Sequence, residues 1–531
     1  MKSVAFHNLG CKVNSYEIDV MQQMLQEKGY EIVPFEHAAD IYIVNTCTVT
    51  NMADRKSRQM LHRAKQKNPQ AVVVAVGCYV QTGKEAVEQD ECIDLAVGNN
   101  RKKDLVSILE AFLQEREAAA DVRNDDQTAE AAKMQEIVEQ KMPPAAWKTL
   151  NDTTVIDINS TYEYEEMTLK QTAEHTRAYI KIQDGCNQFC SYCVIPYARG
   201  RVRSRKAEDI LAEISGIVVA GYREIVLTGI HISSYGIDFE DEAWKQGECV
   251  EKHRGQGHAA SANASEEPSR AGKAWAAPQE TERKPLDYSG SSKLIDLIER
   301  IHQIEGLDRI RIGSLEPRIV TEEGARRLAA LPKLCPHFHL SLQSGCDETL
   351  KRMNRHYTAG EYLQSVEYLR REFKEPAITT DVIVGFPGET EEEFAKTREF
   401  LGKISFFEMH IFKYSKRAGT RAAVMPNQVP DQIKTARSNE LLAMEQEQSA
   451  AFRRRYIGRE AEILVEEKKV IGGREYWIGH TEDYVKVAVP VESETAAHLE
   501  SNALVTVKVE QFLNDEVLLA AAPLLRSYES R

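Results

Sequence analysis

The chain has no apolar run approaching the roughly 20 residues needed to span a bilayer, so the sequence predicts no membrane helix. Its amino terminus, Met1-Lys2-Ser3-Val4-Ala5-Phe6-His7, lacks an apolar signal-peptide core with a small-residue cleavage site. Positive charge is not in surplus either. The formal net charge is −14, which argues against nonspecific binding to nucleic acid, DNA included, through the average surface. Ten cysteines in 531 residues without a secretory leader do not read as a disulfide framework. They point to metal or redox chemistry in a cytoplasmic protein. At 42% hydrophobic and 28% charged residues, the composition is that of a globular protein with sizeable cores, long enough for about three domains.

Three of the thiols lie in one loop, Asp184-Gly185-Cys186-Asn187-Gln188-Phe189-Cys190-Ser191-Tyr192-Cys193. The spacing is C-x3-C-x2-C, and no cysteine or histidine follows in Val194-Ile195-Pro196. Structural zinc takes four ligands, usually as two pairs, and no second C-x2-C exists. Cysteine thiolates are the usual ligands of iron–sulfur clusters. A cuboidal cluster held by these three would keep one iron open to an outside ligand.

Residues 1–113 alternate short apolar runs (3–9, 41–45, 72–76, 93–97) with helix-like segments (15–28, 53–67), the pattern of an α/β domain on a parallel sheet. Cys11, Cys47 and Cys78 each follow one of these strands. The carboxyl ends of parallel strands share one edge, where ligands bind. The three thiols can therefore converge on a second cluster, whereas cysteines serving as small core hydrophobes belong inside strands. Cys92 opens a predicted strand and reads as such a hydrophobe. The helix-like run 53–67 carries Arg55, Lys56, Arg58, Arg63, Lys65 and Lys67, either a solvated basic face or a phosphate-facing one.

Residues 114–174, rich in Ala, Glu, Asp and Gln, read as a connector whose part 129–141 can form an exposed helix. From 175 to 448, strands (177–182, 224–227, 309–312, 337–342, 379–384, 409–412) alternate with helices (207–219, 294–304, 360–372, 391–403). That alternation predicts a full or partial parallel β/α barrel with its chemistry at the carboxyl ends of the strands. Polar motifs stand at those ends: Leu227-Thr228-Gly229, Gly313-Ser314-Leu315-Glu316-Pro317, Leu340-Ser341-Leu342-Gln343 and Gly385-Phe386-Pro387-Gly388-Glu389. Turn glycines and, for Glu389, an acid at a helix start are the plain alternatives. Residues 238–292 are too poor in large apolar residues to order themselves, and Cys249 within them reads as a free thiol. Cys335 and Cys346 are not spaced as a ligand pair, and His337 and His339 read as structural. Basic text, Arg199-Gly200-Arg201-Val202-Arg203-Ser204-Arg205-Lys206, follows the cysteine loop. It is either a solvated face or a set of phosphate contacts. Lys351, Arg352, Arg355, Lys416 and Arg417 were read in the same way. In 449–531, Arg453-Arg454-Arg455 precedes short alternating runs (461–465, 475–478, 485–489, 503–509), which predict a small antiparallel OB-type barrel, a scaffold common in RNA binding.

The cysteine loop, with Tyr192 before its last thiol, resembles the signature of the radical S-adenosylmethionine (SAM) enzymes. There SAM chelates the open iron, and the reduced cluster cleaves it to a deoxyadenosyl radical. Asn8-Leu9-Gly10-Cys11-Lys12-Val13-Asn14, Asn45-Thr46-Cys47 and Val76-Gly77-Cys78 resemble the amino-terminal domain of the radical SAM methylthiotransferases, and the last part resembles their RNA-binding TRAM module. Lys12-Val13-Asn14 is most like the bacterial members that act on N6-threonylcarbamoyladenosine in tRNA. Members acting on isopentenyladenosine usually show Gln and Met there, and those acting on a ribosomal protein Pro-Lys-Asn. The resemblance implies a SAM-binding 4Fe-4S cluster on Cys186, Cys190 and Cys193 and an auxiliary 4Fe-4S cluster on Cys11, Cys47 and Cys78. It places Tyr192 behind the SAM adenine, Ser314 and Glu316 at the ribose, Gln343 near SAM, and the backbone of Gly385 and Pro387 at the adenine. Thr228-Gly229-Ile230 departs from the usual two glycines and glutamate for the SAM amino group. Arg199, Arg201, Arg203, Arg205, Arg453, Arg454 and Arg455 are the expected RNA contacts. The implied reaction is methylthiolation at C2 of the modified adenosine at position 37, beside the tRNA anticodon. SAM would be radical source and methyl donor, with an electron donor and a sulfur source as partners. Isopentenyladenosine or a ribosomal-protein side chain as target, or a non-enzymatic iron–sulfur RNA-binding protein, are the alternatives.

Overall fold

The computed structural model describes residues 2–125, 154–170, 176–239, 293–492 and 499–521. The expected helix 129–141, nearly all of the stretch 238–292, and Cys249 lie outside the described residues.

Five parallel strands open the chain: β1 (Ser3–Asn8), β2 (Glu31–Val33), β3 (Ile41–Thr46), β4 (Val72–Gly77) and β5 (Leu95–Val97), in the order β2-β1-β3-β4-β5. β3 and β4 are buried along their whole length, as near-continuous apolar strands between two helical layers must be. Alternate side chains go to opposite faces. Ile41, Ile43, Val72 and Val74 pack with helices Lys12–Glu27 and Leu105–Asp125, whereas Tyr42, Val44, Val73 and Ala75 pack with Leu61 and Ala64 of helix Asn51–Lys67. The strand order reverses between β1 and β3, and ligands bind at such a reversal. The helix from Leu105 runs on through the start of the expected connector. The strand expected at 93–97 begins only at Leu95, and Cys92 stands in the turn before it.

The next body has six parallel strands, β6 (Ala178–Asp184), β8 (Glu224–Gly229), β9 (Arg309–Ile312), β10 (His337–His339), β11 (Ala377–Val384) and β12 (Glu408–Lys413), with the short antiparallel β7 (Arg203–Ser204) beside β6. They form ladders β6-β8-β9 and β10-β11-β12, joined by the bridges Ile310–Leu334 and Leu315–Leu340. β12 does not pair with β6 among the described residues, so this is a partial β/α barrel. The expected strand 337–342 ends at His339, where the chain bends to meet Leu315 and then passes through Gln343 at φ 71°.

Helix Asp431–Arg454, which periodicity does not announce, packs on β12 and leads into a closed barrel. Its strands are β13 (Glu460–Ile471), β14 (Arg474–Thr481), β15 (Lys486–Pro490), β16 (Leu504–Phe512) and β17 (Leu518–Ala520), all antiparallel except the β15–β17 pair. This barrel closes the amino-terminal end of the β/α strands. Arg309 Nη1 and Arg311 Nη1 donate to the carbonyls of His480 (3.1 Å) and Glu482 (2.8 Å). Tyr484 lies between Arg177 and Arg311, their guanidinium carbons 4.9 and 4.8 Å from its ring centre. The opposite, carboxyl-terminal end of the strands is left for the cysteine loop. No helix among the described residues is long and apolar enough to cross a membrane.

Gly185, at the head of that loop, has φ 72°, and a β-carbon there would fall on the Arg201 carbonyl. Gly185→Ala is expected to cost about 3 kcal/mol or more. Gly221→Ala, at φ 100° with open space around it, should cost only about 1–2 kcal/mol. Denaturant midpoints of the two variants compare them.

Candidate active site

The cysteine loop is fastened from below by the turn after helix Asp347–Arg352. Ser191 N and Oγ donate to the carbonyls of Met353 (2.9 Å) and Arg352 (2.8 Å), and Asn354 Nδ2 bridges those of Gln188 and Phe189 at 3.2 and 3.1 Å. Each thiol receives one N–H. Gln188 N approaches Cys186 Sγ at 3.5 Å, Ile195 N approaches Cys193 Sγ at 3.5 Å, and Arg355 Nη1 approaches Cys190 Sγ at 3.4 Å. Burial pushes the Cys193 thiol up to about 12, its neighbour Cys190 adding to the effect. Three thiols in one short loop, each with an N–H donor aimed at its sulfur, fit an iron–sulfur ligand set.

The second set stands on the sheet edge. Cys47 and Cys78 directly follow β3 and β4, and Cys11 follows β1 after Gly10, whose absent β-carbon would lie 3.3 Å from Cys47 Sγ. Burial raises the Cys47 thiol to about 11; the Val49 N–H opposes this, and the nearby Cys78 and Cys11 thiols add to it. Cys78 Sγ accepts from Arg199 Nε at 3.3 Å and from Asn99 Nδ2 at 3.6 Å. In neither set do all three thiols lie within 4.8 Å of one another, as ligands of a single ion would. Ligands on separate corners of a cluster stand wider.

Arg199 joins the two sets. It ends the helix Ile195–Arg199 that follows Cys193, yet it contacts Cys78 of the first domain. Its Nη1 donates to Glu17 at 2.6 Å and reaches Asp184 at 3.3 Å, and its Nη2 donates to Asn14 at 2.6 Å. Glu17 also pairs with Lys102 and, at 2.9 Å, with Lys181, which in turn meets Asp184 at 2.7 Å. Burial pushes the Glu17 carboxyl up, but Arg199, Lys102 and Lys181 together hold it well below the carboxylate range. These groups are all buried.

The arginines expected on RNA are therefore divided. Arg199, Arg203 and Arg205 are buried and engaged: Arg203 with the carbonyls of Arg199 and Arg201 (2.9 and 3.1 Å), Arg205 with Glu213. Arg453 is buried against Glu408 at 2.6 Å. None of these four is open to a phosphate. Arg201 is half-buried over the Phe189 ring, whereas Arg454 and Arg455 are exposed. Arg355 and Arg417, also read as basic surface, serve inside as well. Arg417 ties the second body to the first through Thr48 (2.7 Å) and Asn51 (2.9 Å).

Of the strand-end residues, Phe386 and Glu316 meet the cysteine loop directly. The Tyr192 ring packs edge-on to Phe386 at 6.3 Å. Glu316 accepts from Gln188 Nε2 of the loop at 2.8 Å and from Arg318 at 2.9 Å, with His231 at 3.1 Å. Ser314 is exposed and Thr228 is buried in β8; Gly229, which ends the strand, lies against Gln183. Gln343 is paired through its backbone with β11. Gly385 N donates to Glu389 at 2.6 Å, and a β-carbon on Gly385 would strike Lys434, so that glycine makes room for a helix. Pro387 O accepts from Arg352 Nε at 3.2 Å. Glu389 is a buried partner of Arg437 at 2.8 Å rather than a solvent-facing acid at a helix start. Sequence reading missed Asn14, Glu17, Asn99, Lys102 and Lys181 as parts of the site, and it placed Arg355 on the surface rather than at the Cys190 thiol. A signal existed for two of them. Glu17 falls on the apolar stripe of its helix with Val13, Tyr16, Val20 and Met21, and Lys181 interrupts the apolar strand β6.

Residues 180–401 match the radical SAM superfamily, and residues 3–98 match the uncharacterized protein family UPF0004. A chain with that match and this cysteine loop is a radical SAM enzyme, and it works with SAM and iron–sulfur chemistry. It is similar to the threonylcarbamoyladenosine tRNA methylthiotransferase MtaB of Bacillus subtilis (strain 168), at 35% identity over 92% of this chain and 90% of the relative. The MtaB of Aquifex aeolicus (strain VF5) is 34% identical over 91% of this chain and 96% of its own length. A tRNA-2-methylthio-N(6)-dimethylallyladenosine synthase of Carboxydothermus hydrogenoformans is 31% identical over 86% of this chain and 87% of its own length. The chain belongs to the radical SAM methylthiotransferase family.

Glu17→Gln removes the anion that Arg199, Lys102 and Lys181 share and is expected to cost about 3–5 kcal/mol, as breaking a buried ion pair does. Folded Glu17 stays ionised below its ordinary value of 4.5, so the unfolded chain binds the extra proton. Its contribution is complete above about pH 4.5 and lost as pH falls further. Denaturant unfolding from pH 7 to 3 should show a steeper acid loss in the native chain than in the variant.

Proposed function

We propose that this enzyme methylthiolates C2 of N6-threonylcarbamoyladenosine at position 37 of tRNA. It would use a SAM-binding 4Fe-4S cluster on Cys186, Cys190 and Cys193 and an auxiliary 4Fe-4S cluster on Cys11, Cys47 and Cys78. The observation that carries the reading is Arg199, which follows the Cys186–Cys193 loop in sequence and donates to Cys78 of the other thiol set, in a chain similar over nine-tenths of its length to enzymes named for this nucleoside. When bound, the cofactors supply the radical that activates an otherwise inert aromatic C–H, the sulfur and the methyl group. An electron donor and a sulfur source are the partners this chemistry needs, and the cytoplasm is where tRNA meets it.

The protein's own residues bind and orient. Glu316, held ionised against the effect of its burial by His231, Arg355 and Arg318, is an acceptor for a ribose hydroxyl. Tyr192 offers a ring face to an adenine. Asn14 fixes Cys11 and Arg199 together, accepting from Arg199 at 2.6 Å beside the Cys11 thiol at 3.8 Å. The loop nucleotide must leave its stack to reach the site, at a cost of a few kcal/mol. Exposed Arg454 and Arg455, with Arg55, Lys56, Arg58 and Arg63 of helix Asn51–Lys67, are the cations available to tRNA phosphates.

Nucleoside mass spectrometry of tRNA from cells lacking and regaining the gene tests the reading. The 2-methylthio form of N6-threonylcarbamoyladenosine should vanish and return. If 2-methylthio-dimethylallyladenosine tracks the gene instead, the substrate assignment fails while the chemistry stands. Replacing Cys11, Cys47 and Cys78 together by Ala should abolish methylthio transfer but leave reductive SAM cleavage at a rate within about twofold of native. Replacing Cys186, Cys190 and Cys193 should abolish both, as read by deoxyadenosine release.

A further inference from the structure

Three adjacent strands of the partial barrel carry His339, Asp381 and His410, whose ligating atoms all lie within 4.8 Å of one another. Register explains the convergence. Thr379 pairs with His339 across β10–β11, and Asp381, two residues on and therefore on the same face, pairs with His410 across β11–β12. The opposite face of these strands holds Phe338, Ile378, Val382 and Met409, which pack in the main core. The three polar side chains thus face the barrel interior. They stand below the strand-end residues, since Asp381 O accepts from Gln343 N at 2.8 Å.

The His339 Nε2–Asp381 Oδ2 distance is 3.4 Å, long for an N–H···O hydrogen bond, which spans about 2.7–3.2 Å. It fits an edge of a coordination tetrahedron, because bonds of about 2.0–2.2 Å put neighbouring donor atoms about 3.3–3.5 Å apart. The other ring nitrogen of His339, Nδ1, meets Thr379 Oγ1 at 3.0 Å, the outer-shell contact that aims Nε2 at an ion. The His410 ring stacks beside that of His339, centres 6.0 Å apart, and is exposed to the interior.

We propose that His339, Asp381 and His410 form a divalent-cation site inside the catalytic barrel, separate from both cysteine sets. Two imidazoles and one carboxylate suit Zn2+ or Fe2+. The remaining coordination positions would take water or an anionic oxygen.

The test uses the full chain with its clusters loaded, in a Cys92→Ser background. That change disables the group His62, Asp90 and Cys92, whose donor atoms also lie within 4.8 Å of one another. The protein is equilibrated with Zn2+ alone, freed of unbound metal by gel filtration, and analysed for zinc per chain. About one zinc per chain is expected, falling at least tenfold on adding His410→Ala or Asp381→Asn. His410 is exposed and its strand pairs through the backbone, so His410→Ala should keep the native circular dichroism and iron content. Zinc content unchanged by both substitutions, or no zinc retained before them, overturns the site.

Discussion

A buried guanidinium that ties the C-x3-C-x2-C loop to the amino-terminal domain is the constraint on which the arrangement of this enzyme depends. Arg199 follows the C-x3-C-x2-C loop in sequence and belongs by contact to the amino-terminal domain. It touches Cys78 at 3.3 Å and shares Glu17 and Asp184 with Lys181, while Lys102 shares Glu17. A charge removed from water is tolerated only when paired and hydrogen-bonded. The partners come from three elements: Glu17 from helix Lys12–Glu27, Lys181 and Asp184 from strand β6, and Lys102 from the turn before helix Leu105–Asp125. The two domains cannot slide against each other without stranding a charge. The separation of the two cysteine sets is thereby fixed by electrostatics as well as by packing.

The same network shows why some of the site was legible in the sequence and some was not. Cys186, Cys190 and Cys193 lie within one loop, so their spacing alone conveys chemistry. Cys11, Cys47 and Cys78 are far apart in the chain, yet the strand-end rule places them on one edge because parallel strands share a direction. Arg199 was read as surface because its counter-ion Glu17 is 182 residues away. Local composition reports that a cation is present, not that a distant carboxylate encloses it. Arg203 and Arg205 were misread for the same reason.

Missed elements have physical reasons too. β2 and β17 are three residues long, too short to show a period. Helix Asp431–Arg454 buries Lys434, Arg437, Ser438, Ser449 and Arg453 beside only Leu441 and Phe452. A helix whose buried face is polar carries little hydrophobic periodicity. Its partners, Glu389 for Arg437 and Glu408 for Arg453, exist only in three dimensions. The small barrel was legible because its strands alternate, but its role as a floor under the catalytic strands was not. That role rests on Tyr484, a single residue at φ 71° seated between two arginines of the other domain.

With so many arginines used internally, the acidic average charge and an RNA substrate are compatible in a specific way. Exposed cations remain in several places, among them Arg55, Lys56, Arg58 and Arg63 on the helix that follows Cys47, and Arg454 and Arg455 before the small barrel. Phosphate contacts fix position rather than read sequence. Two separated patches on rigid elements, one on the helix that follows Cys47 and one at the junction with the small barrel, give a nucleic-acid backbone two points of hold.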